Sequence, residues 1–226
     1  MAQDRSVIDS LERSAEKASP IGLYGGTFDP IHRGHIHAAK LVLKHIQLDK
    51  MHMILSARPG HRGEPASSIE DRWAMLQLAC DSDERLIAED GEIRREGKSY
   101  TFDTVKGYCA QGCVPNWVVG MDSFLTMPDW YRWREIPDFC NLVVIQRTGV
   151  QEKLPKQLIE LLADRQVETL DTCALGQVWL LDAPMLDVSA TEIRRRIVAN
   201  EDASDLLDDA VWTYIRQHNL YAEVSV

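Results

Sequence analysis

A strand, a loop and the start of a helix are encoded in residues 21–35, which read IGLYGGTFDPIHRGH. The apolar run Ile21–Tyr24 is typical of a buried strand, and apolar residues then recur at helical spacing over residues 36–46. Gly25 and Gly26 at the strand end allow a sharp turn and leave no Cβ between main-chain N–H groups and a bound phosphate. A plain tight turn is the alternative explanation for the two glycines.

The same alternation of strand and helix continues along the chain. Five further apolar runs predict buried strands: Met51–Leu55, Arg85–Ala88, Trp117–Val119, Leu142–Ile145 and Val178–Leu181. Helical spacing predicts helices over residues 69–80, where Ser67 and Glu70 form a capping-box pattern, and over residues 102–109.

This order of elements predicts an α/β fold: a Rossmann-like, doubly wound and mostly parallel sheet with helices on both faces. We expect residues 1–19 to form an N-terminal extension and residues 20–226 to form a single domain. In such sheets ligands bind at the carboxyl ends of the strands, where the strand order switches. The loops that follow the strands are therefore where we expect the chemistry.

Two histidines stand one helical turn apart at the start of the first predicted helix. His32 and His35 are three residues apart, so both imidazoles can face one point at the helix N-terminus. Free N–H groups and the helix dipole favour an anion there, and Gly34 keeps the space between the rings open. Taken alone, a His-x-x-His pair is also typical of a surface helix or of half a metal site.

A second helix start near the C-terminus carries anion-binding groups. Ser189 and Glu192 form a capping-box pattern, so we expect Ser189 to open a helix. Thr191 and Arg194 then lie three residues apart near its positive end, where hydroxyls, N–H groups and a guanidinium can bind an anion. The alternative is a capped helix whose basic face is solvated.

Composition excludes several classes of protein. A formal net charge of −10 and a pI of about 5.2 argue against a nucleic-acid partner. No apolar run is long enough for a membrane span and the first residues lack an apolar signal segment, so we expect a cytoplasmic protein with no membrane partner. Five scattered cysteines predict neither a disulfide framework nor a metal site. The first loop is neither a Walker A loop nor a Gly-x-Gly-x-x-Gly dinucleotide fingerprint.

The two helix starts together resemble the signature of the nucleotidyltransferase superfamily, the Rossmann-like adenylyl- and cytidylyltransferases. Between them, residues 99–104 read SYTFDT and are similar to the Ser-Tyr-Thr-x-x-Thr segment of bacterial nicotinate mononucleotide adenylyltransferases. Further segments match that family in order over roughly residues 20–222: Pro59–Arg62, Arg72–Ala79, Gly120–Ser123, Gln146–Gly149 and Val211–Tyr221. Gly60, Met121, Thr148 and Ala190 depart from the family pattern, but none of them removes a charged or imidazole group.

The resemblance implies how ATP, the co-substrate, is held. His32, His35 and Arg194 would be the catalytic residues around the phosphates, and Mg²⁺ would arrive on ATP with no metal bound by the protein itself. The remaining ATP-binding residues that it implies are Gly25, Gly26, Thr27, Phe28, Gly34, Asp122, Ser189 and Thr191. A helix N-cap is the alternative role for Asp122.

The resemblance also implies an acceptor site for nicotinate mononucleotide. The backbone at Tyr100 and Thr101 would bind the nicotinate carboxylate, and Trp130 would stack on the pyridine ring. Arg62 and Arg147 lie in matched loops that contact the substrate. Core packing is the alternative role for Trp130, because three tryptophans lie close together in this part of the sequence.

The implied reaction is transfer of the adenylyl group of ATP to nicotinate mononucleotide, which gives deamido-NAD and pyrophosphate during NAD synthesis. Other acceptors, such as nicotinamide mononucleotide or phosphopantetheine, are alternatives within the same chemistry. A non-catalytic nucleotide sensor on the same fold is an alternative of another class.

Overall fold

Six parallel strands form one sheet. The computed structural model describes residues 19–60, 63–149 and 152–222. The strands are β1 Ser19–Gly26, β2 Met51–Leu55, β3 Leu86–Glu89, β4 Cys113–Gly120, β5 Asn141–Arg147 and β6 Val178–Ala183. They lie in the order β3-β2-β1-β4-β5-β6, and every neighbouring pair is parallel. All six predicted strands are therefore present, and β2 has the predicted bounds.

Helices connect the strands. They are α1 Arg33–Ile46, α2 Ile69–Cys80, α3 Gly91–Arg94, α4 Thr101–Ala110, α5 Met121–Leu125, α6 Lys156–Arg165, α7 Ala190–Val198 and α8 Asp209–Gln217. Three short 3-10 helices cover Met127–Asp129, Trp133–Asp138 and Ser204–Leu206. Within the described ranges no helix is long and apolar enough to cross a membrane.

Of the two predicted N-cap serines, one is wrong and one is confirmed. Ser68, and not Ser67, caps α2: its hydroxyl accepts a hydrogen bond from the Asp71 N–H over 3.0 Å. The prediction for Ser67 is wrong because its hydroxyl donates to Asp29 instead. Ser189 caps α7 as predicted and accepts from the Glu192 N–H over 3.2 Å. The Glu192 carboxylate, however, pairs with two arginines of α7, Arg195 and Arg196.

The core lies on both faces of the sheet. One cluster joins the sheet to α1, α2, α7 and α8, and the other joins it to α4, α5 and α6. Val118 and Val119, successive residues of β4, are buried in different clusters because side chains alternate along a strand. Residues of central strands are therefore buried on both faces, which is the doubly wound arrangement.

The strand order fixes where a ligand can bind. The chain moves from β1 outwards to β3, and α4 then returns it to β4 on the other side of β1. The loops after β1 and β4 consequently leave the sheet in opposite directions, and a crevice opens between them at the carboxyl ends. The predicted boundary near residue 20 adjoins the start of β1 at Ser19, and residues 1–18 of the predicted extension lie outside the described residues.

Candidate active site

A cavity of about 980 Å³ opens at this crevice. The ends of β1, β4 and β5 form its floor, and the start of α7 closes one side. Fourteen of the sixteen predicted site residues line it: Gly25, Gly26, Thr27, Phe28, His32, Gly34, His35, Thr101, Asp122, Trp130, Arg147, Ser189, Thr191 and Arg194. The fold thus brings together residues from both ends of the chain in one site.

His32 and His35 form a stacked pair at the N-terminus of α1. Their ring centroids lie 3.7 Å apart with 21° between the planes. The His32 backbone N–H donates to Nδ1 of His35 over 3.3 Å, so in the neutral His35 ring the proton lies on Nε2 and can be donated to a ligand. The His32 side chain is 7% exposed, and its buried Nδ1 has no hydrogen-bond partner.

Burial keeps the His32 ring neutral. It lowers the pKa of His32 from 6.5 to about 4, so the ring is neutral at pH 7. A neutral imidazole binds a phosphate oxygen as a hydrogen-bond donor and contributes no full positive charge. Gly34 lies directly behind this ring, and a Cβ at that position would be 3.0 Å from Nδ1 of His32.

The two glycines of the first loop are required for packing. Both lie inside β1 and neither has a positive φ, so the expected sharp turn at this point is wrong. A Cβ on Gly25 would stand 2.4 Å from the Trp117 indole, and one on Gly26 would stand 2.5 Å from the Phe28 ring. The turn comes later, at Phe28, which has a φ of 49°.

Arg194 brings the second anion-binding motif to the first. It lies on α7, and its Nη1 donates to the Asp29 carbonyl oxygen over 2.5 Å. Ser189 and Thr191 line the same wall of the cavity. A guanidinium, a helix N-terminus and two histidines therefore surround one region, which suits a polyphosphate.

Asp29 is a residue of the site whose role the sequence did not reveal, since Asp-Pro predicts only a turn. Its carboxylate accepts three hydrogen bonds: from the Ala66 N–H over 2.6 Å, the Ser67 hydroxyl over 2.6 Å and the Tyr221 hydroxyl over 2.8 Å. These donors come from the segment before α2 and from the C-terminal segment. Asp29 thus joins three distant parts of the chain beside the cavity.

Arg72 is a second residue that local patterns did not assign. Its side chain is buried, with 1% exposed, and its guanidinium donates to the carbonyl oxygens of Thr27, Ser56 and Ala57 over 2.8–3.1 Å. It therefore ties the loop after β1 to the loop after β2. Burial lowers the pKa of Arg72, and the Asp29 carboxylate opposes that effect.

The opposite end of the cavity is built around the start of α4. Ser99 and Thr101 line it, together with a buried carboxyl group, Glu92. Thr104 donates to Glu92 over 2.6 Å. Burial raises the pKa of Glu92, while the Thr104 and Ser99 hydroxyls that bond to it oppose that effect.

Tyr100 is not among the described residues that line the cavity, although it lies between two that are. Its ring packs on Tyr131 with centroids 4.5 Å apart and also covers Gly60, where a Cβ would be 2.6 Å from Tyr100 Cε1. The ring therefore leaves no room for a Cβ at Gly60 in this arrangement. Arg62, the other predicted site residue outside the cavity lining, lies outside the described residues.

Three further predicted residues line the cavity: Trp130, Asp122 and Arg147. Trp130 lines the cavity and is half-buried against the core, while Trp133 is not one of the described lining residues. Asp122 lies in the first turn of α5, which is capped by Gly120, so Asp122 is not an N-cap. Arg147 at the end of β5 lines the cavity and forms an exposed ion pair with Asp187 over 3.0 Å.

Comparison with known proteins identifies the class that this fold and site define. A family model described as cytidylyltransferase-like matches residues 23–196 of the chain. The match runs from β1 to the Arg194 segment, and so spans both halves of the phosphate-binding region.

Curated relatives narrow the class. "Probable nicotinate-nucleotide adenylyltransferase" of Pseudomonas aeruginosa (strain UCBPP-PA14) is 38% identical over 208 residues, which cover 89% of this chain and 96% of the relative. The protein of the same name from Aeromonas salmonicida (strain A449) is 38% identical over 212 residues, covering 90% and 97%. The chain therefore belongs to the nicotinate-nucleotide adenylyltransferase family.

Solved structures agree on the fold. Plasmodium falciparum nicotinic acid mononucleotide adenylyltransferase complexed with NaAD superposes with a TM-score of 0.70 at 16% identity, covering 90% of this chain and 97% of that one. At this identity the similarity shows the Rossmann-like fold alone.

Proposed function

We propose that the chain transfers the adenylyl group of ATP to nicotinate mononucleotide, giving deamido-NAD and pyrophosphate in NAD biosynthesis. The observation that carries the proposal is one cavity with two chemically distinct ends. His32, His35 and Arg194 surround the phosphate end, and Thr101 and Trp130 line the acceptor end. The names of the curated relatives support the same reaction.

The reaction needs little acid–base chemistry from the protein. The acceptor is a phosphate monoester, whose second pKa is near 6, so at pH 7 it is mostly a dianion. One of its oxygens attacks the α-phosphorus of ATP, the bond to the β-phosphate oxygen breaks, and pyrophosphate leaves. Catalysis then consists of aligning the two substrates and stabilising charge on the phosphates.

Each phosphate-end group has a distinct task in this proposal. His35 donates Nε2–H to an oxygen of the transferred group, since its Nδ1 is occupied by the His32 N–H. His32, neutral at pH 7, donates a second hydrogen bond. Arg194 supplies the full positive charge and binds the departing pyrophosphate, helped by Thr191 and the Ser189-capped N-terminus of α7.

The acceptor end selects the pyridine nucleotide. Main-chain N–H groups at the start of α4, at Tyr100 and Thr101, are the donors expected for the nicotinate carboxylate, because a helix N-terminus favours an anion. Of the two residues, Thr101 lines the cavity and Tyr100 does not. Trp130 offers an indole face to the cationic pyridinium ring. Asp122 and Arg147 line the cavity. We expect Asp122 to bond a ribose hydroxyl and Arg147 to contact the substrate, and from the sequence resemblance we expect the same of Arg62.

We infer that Mg²⁺ enters bound to ATP. Among residues 19–60, 63–149 and 152–222, no cluster of three or more His, Cys, Asp or Glu could hold a metal ion. Mg²⁺ usually keeps several waters and is held mainly by substrate phosphates. Its contribution is to neutralise charge on those phosphates.

Charge and cysteine chemistry support the proposed partners and compartment. A net charge of −10 supports small-molecule partners in place of nucleic acid. The five cysteines are free thiols, which supports the cytoplasm as the compartment of the reaction.

Position-labelled ATP tests the proposed bond cleavage. With nicotinate mononucleotide present, label at the α-phosphate should appear in a dinucleotide, and label at the γ-phosphate should appear in pyrophosphate. The His35→Ala variant serves as the control for contaminating enzymes. Label from the γ-phosphate in orthophosphate, or α-label that stays in AMP, would overturn the proposal.

A further inference from the structure

We propose that Tyr221, near the C-terminus, is a positioning residue for the phosphate end of the site and acts through Asp29. The inference rests on the proposed function for its kinetic effect. Tyr221 lies 192 residues beyond Asp29 in sequence, yet its hydroxyl donates to the Asp29 carboxylate over 2.8 Å. It touches neither the histidines nor Arg194 by any hydrogen bond among the described residues.

The contact is a closed cluster of three side chains. The Tyr221 hydroxyl and the Ser67 hydroxyl both donate to Oδ1 of Asp29, and the two hydroxyl oxygens lie 3.0 Å apart. Burial raises the pKa of Tyr221, with a contribution from the Asp29 carboxylate, so the phenol stays protonated and remains a donor. Two hydroxyl donors and the Ala66 N–H thus hold the carboxylate in one orientation.

The orientation of Asp29 affects the positions of both Arg194 and His32. The Asp29 carbonyl oxygen accepts the hydrogen bond from Arg194, and His32 follows Asp29 by three residues. A rotation of the Asp29 peptide would therefore move the Arg194 guanidinium and the start of α1 together. Misplacement of such groups by a fraction of an ångström costs turnover, because catalysis here is a matter of alignment.

The backbone supports a positional role for the C-terminal segment. Tyr221 has a φ of 63°, which is unusual for a residue with a bulky side chain and persists where the surrounding contacts determine it. The chain turns back towards Asp29 at this point, beyond the end of α8 at Gln217. The Tyr221 hydroxyl bonds to Asp29 from this turn.

Tyr214 provides a matched control within the same region. It lies on α8, and its hydroxyl donates to the Asp71 carboxylate over 3.0 Å. Tyr214→Phe therefore removes the same type of hydrogen bond between the C-terminal region and α2. Asp71, however, does not line the cavity, as the lining residues of the described chain show.

The test compares Tyr221→Phe with Tyr214→Phe and the unmodified chain by pyrophosphate release from ATP and nicotinate mononucleotide. We expect Tyr221→Phe to lower kcat about tenfold, while KM for ATP changes less than about threefold. Tyr214→Phe should keep the unmodified kcat. An unchanged kcat for Tyr221→Phe, or an equal loss in both variants, would overturn the inference.

Hydrogen exchange separates this inference from the proposed function. In the free protein, amides of residues 28–35 should exchange faster in Tyr221→Phe and not in Tyr214→Phe. If the exchange of these amides is unchanged in Tyr221→Phe, the inference about Tyr221 is overturned, whatever the activity of the unmodified chain. If the unmodified chain releases no pyrophosphate, the proposed function is overturned, and the exchange result still decides the inference. If Tyr221→Phe does not fold, Ser67→Ala removes another donor to the same oxygen, and its kcat must fall at a similar KM for the inference to stand.

Discussion

The backbone N–H of His32 donates to Nδ1 of His35 over 3.3 Å while the two rings stack with centroids 3.7 Å apart. This hydrogen bond therefore orients the His35 ring and fixes its tautomer. The ring proton of neutral His35 must lie on Nε2, the nitrogen that we propose donates to a substrate phosphate. The division of roles between the two histidines follows from this contact and from the burial of His32.

Replacing His35 by alanine should remove the hydrogen-bond donor that we assign to the transferred adenylyl group. We expect kcat to fall by about 10²–10³ with a smaller change in KM for ATP, because the bond strengthens as charge moves in the transition state. Steady-state pyrophosphate release measures both constants. His45→Ala, an exposed position on the last turn of the same helix, is the control and should leave kcat unchanged. Turnover of His35→Ala at the unmodified rate would remove His35 from the mechanism.

The buried His32 should make stability depend on pH. An unfolded histidine binds a proton below pH 6.5, whereas folded His32 resists protonation until about pH 4. As pH falls from 7 to 4 the unfolded state takes up a proton that the folded state does not, so folding stability is lost over that range. The difference corresponds to about 3 kcal/mol.

Urea unfolding at several pH values checks this prediction, with His32→Gln as the reference variant. The unmodified chain should lose more stability between pH 7 and pH 4 than the variant does. Parallel curves for the two proteins would show that His32 titrates normally in the folded state.

Arg72→Met should destabilise the fold strongly. The guanidinium satisfies carbonyl groups of Thr27, Ser56 and Ala57, and a thioether of similar length leaves them buried without a donor. We expect a loss of about 3 kcal/mol or more in the free energy of unfolding. Arg94→Met is the control, since Arg94 forms an exposed ion pair that should contribute little. A thermal midpoint that falls no further in Arg72→Met than in Arg94→Met would contradict this role.

Two glycine-to-alanine substitutions should have opposite effects. In Gly25→Ala the new methyl group would stand 2.4 Å from the Trp117 ring, so the floor of the cavity must shift and both stability and kcat should fall. Gly107→Ala in α4 meets no atom within 4 Å and should stabilise the protein by about 0.5–1 kcal/mol. Calorimetric melting of both variants decides the sign. A Gly25→Ala protein as stable and as active as the unmodified chain would exclude this packing constraint.

Sequence reasoning predicted what is encoded locally. The strand Met51–Leu55, the helix after His32 and the Ser189 cap all follow from short-range patterns of apolar and capping residues. The parallel sheet then brings the loops at its carboxyl edge together, which explains why 14 of the predicted site residues line one cavity.

What the sequence could not show depends on long-range partners. Ser67 shows the capping-box pattern with Glu70, but its hydroxyl bonds to Asp29, which is distant in sequence, and Ser68 caps α2 instead. Arg72 and Tyr221 act on loop carbonyls and on a carboxylate that are distant in sequence, so no local pattern marks their roles. Gly25 and Gly26 line the cavity as expected of predicted site residues, but what requires glycine at each position is an aromatic ring packed against it.

The most direct measurement compares two acceptors side by side. Purified protein with ATP and Mg²⁺ receives either nicotinate mononucleotide or nicotinamide mononucleotide, and pyrophosphate release gives kcat/KM for each. We predict fast release with the acid and little with the amide, because the start of α4 at Thr101 favours a carboxylate. Equal values for the two acceptors, or release with neither, would contradict this prediction.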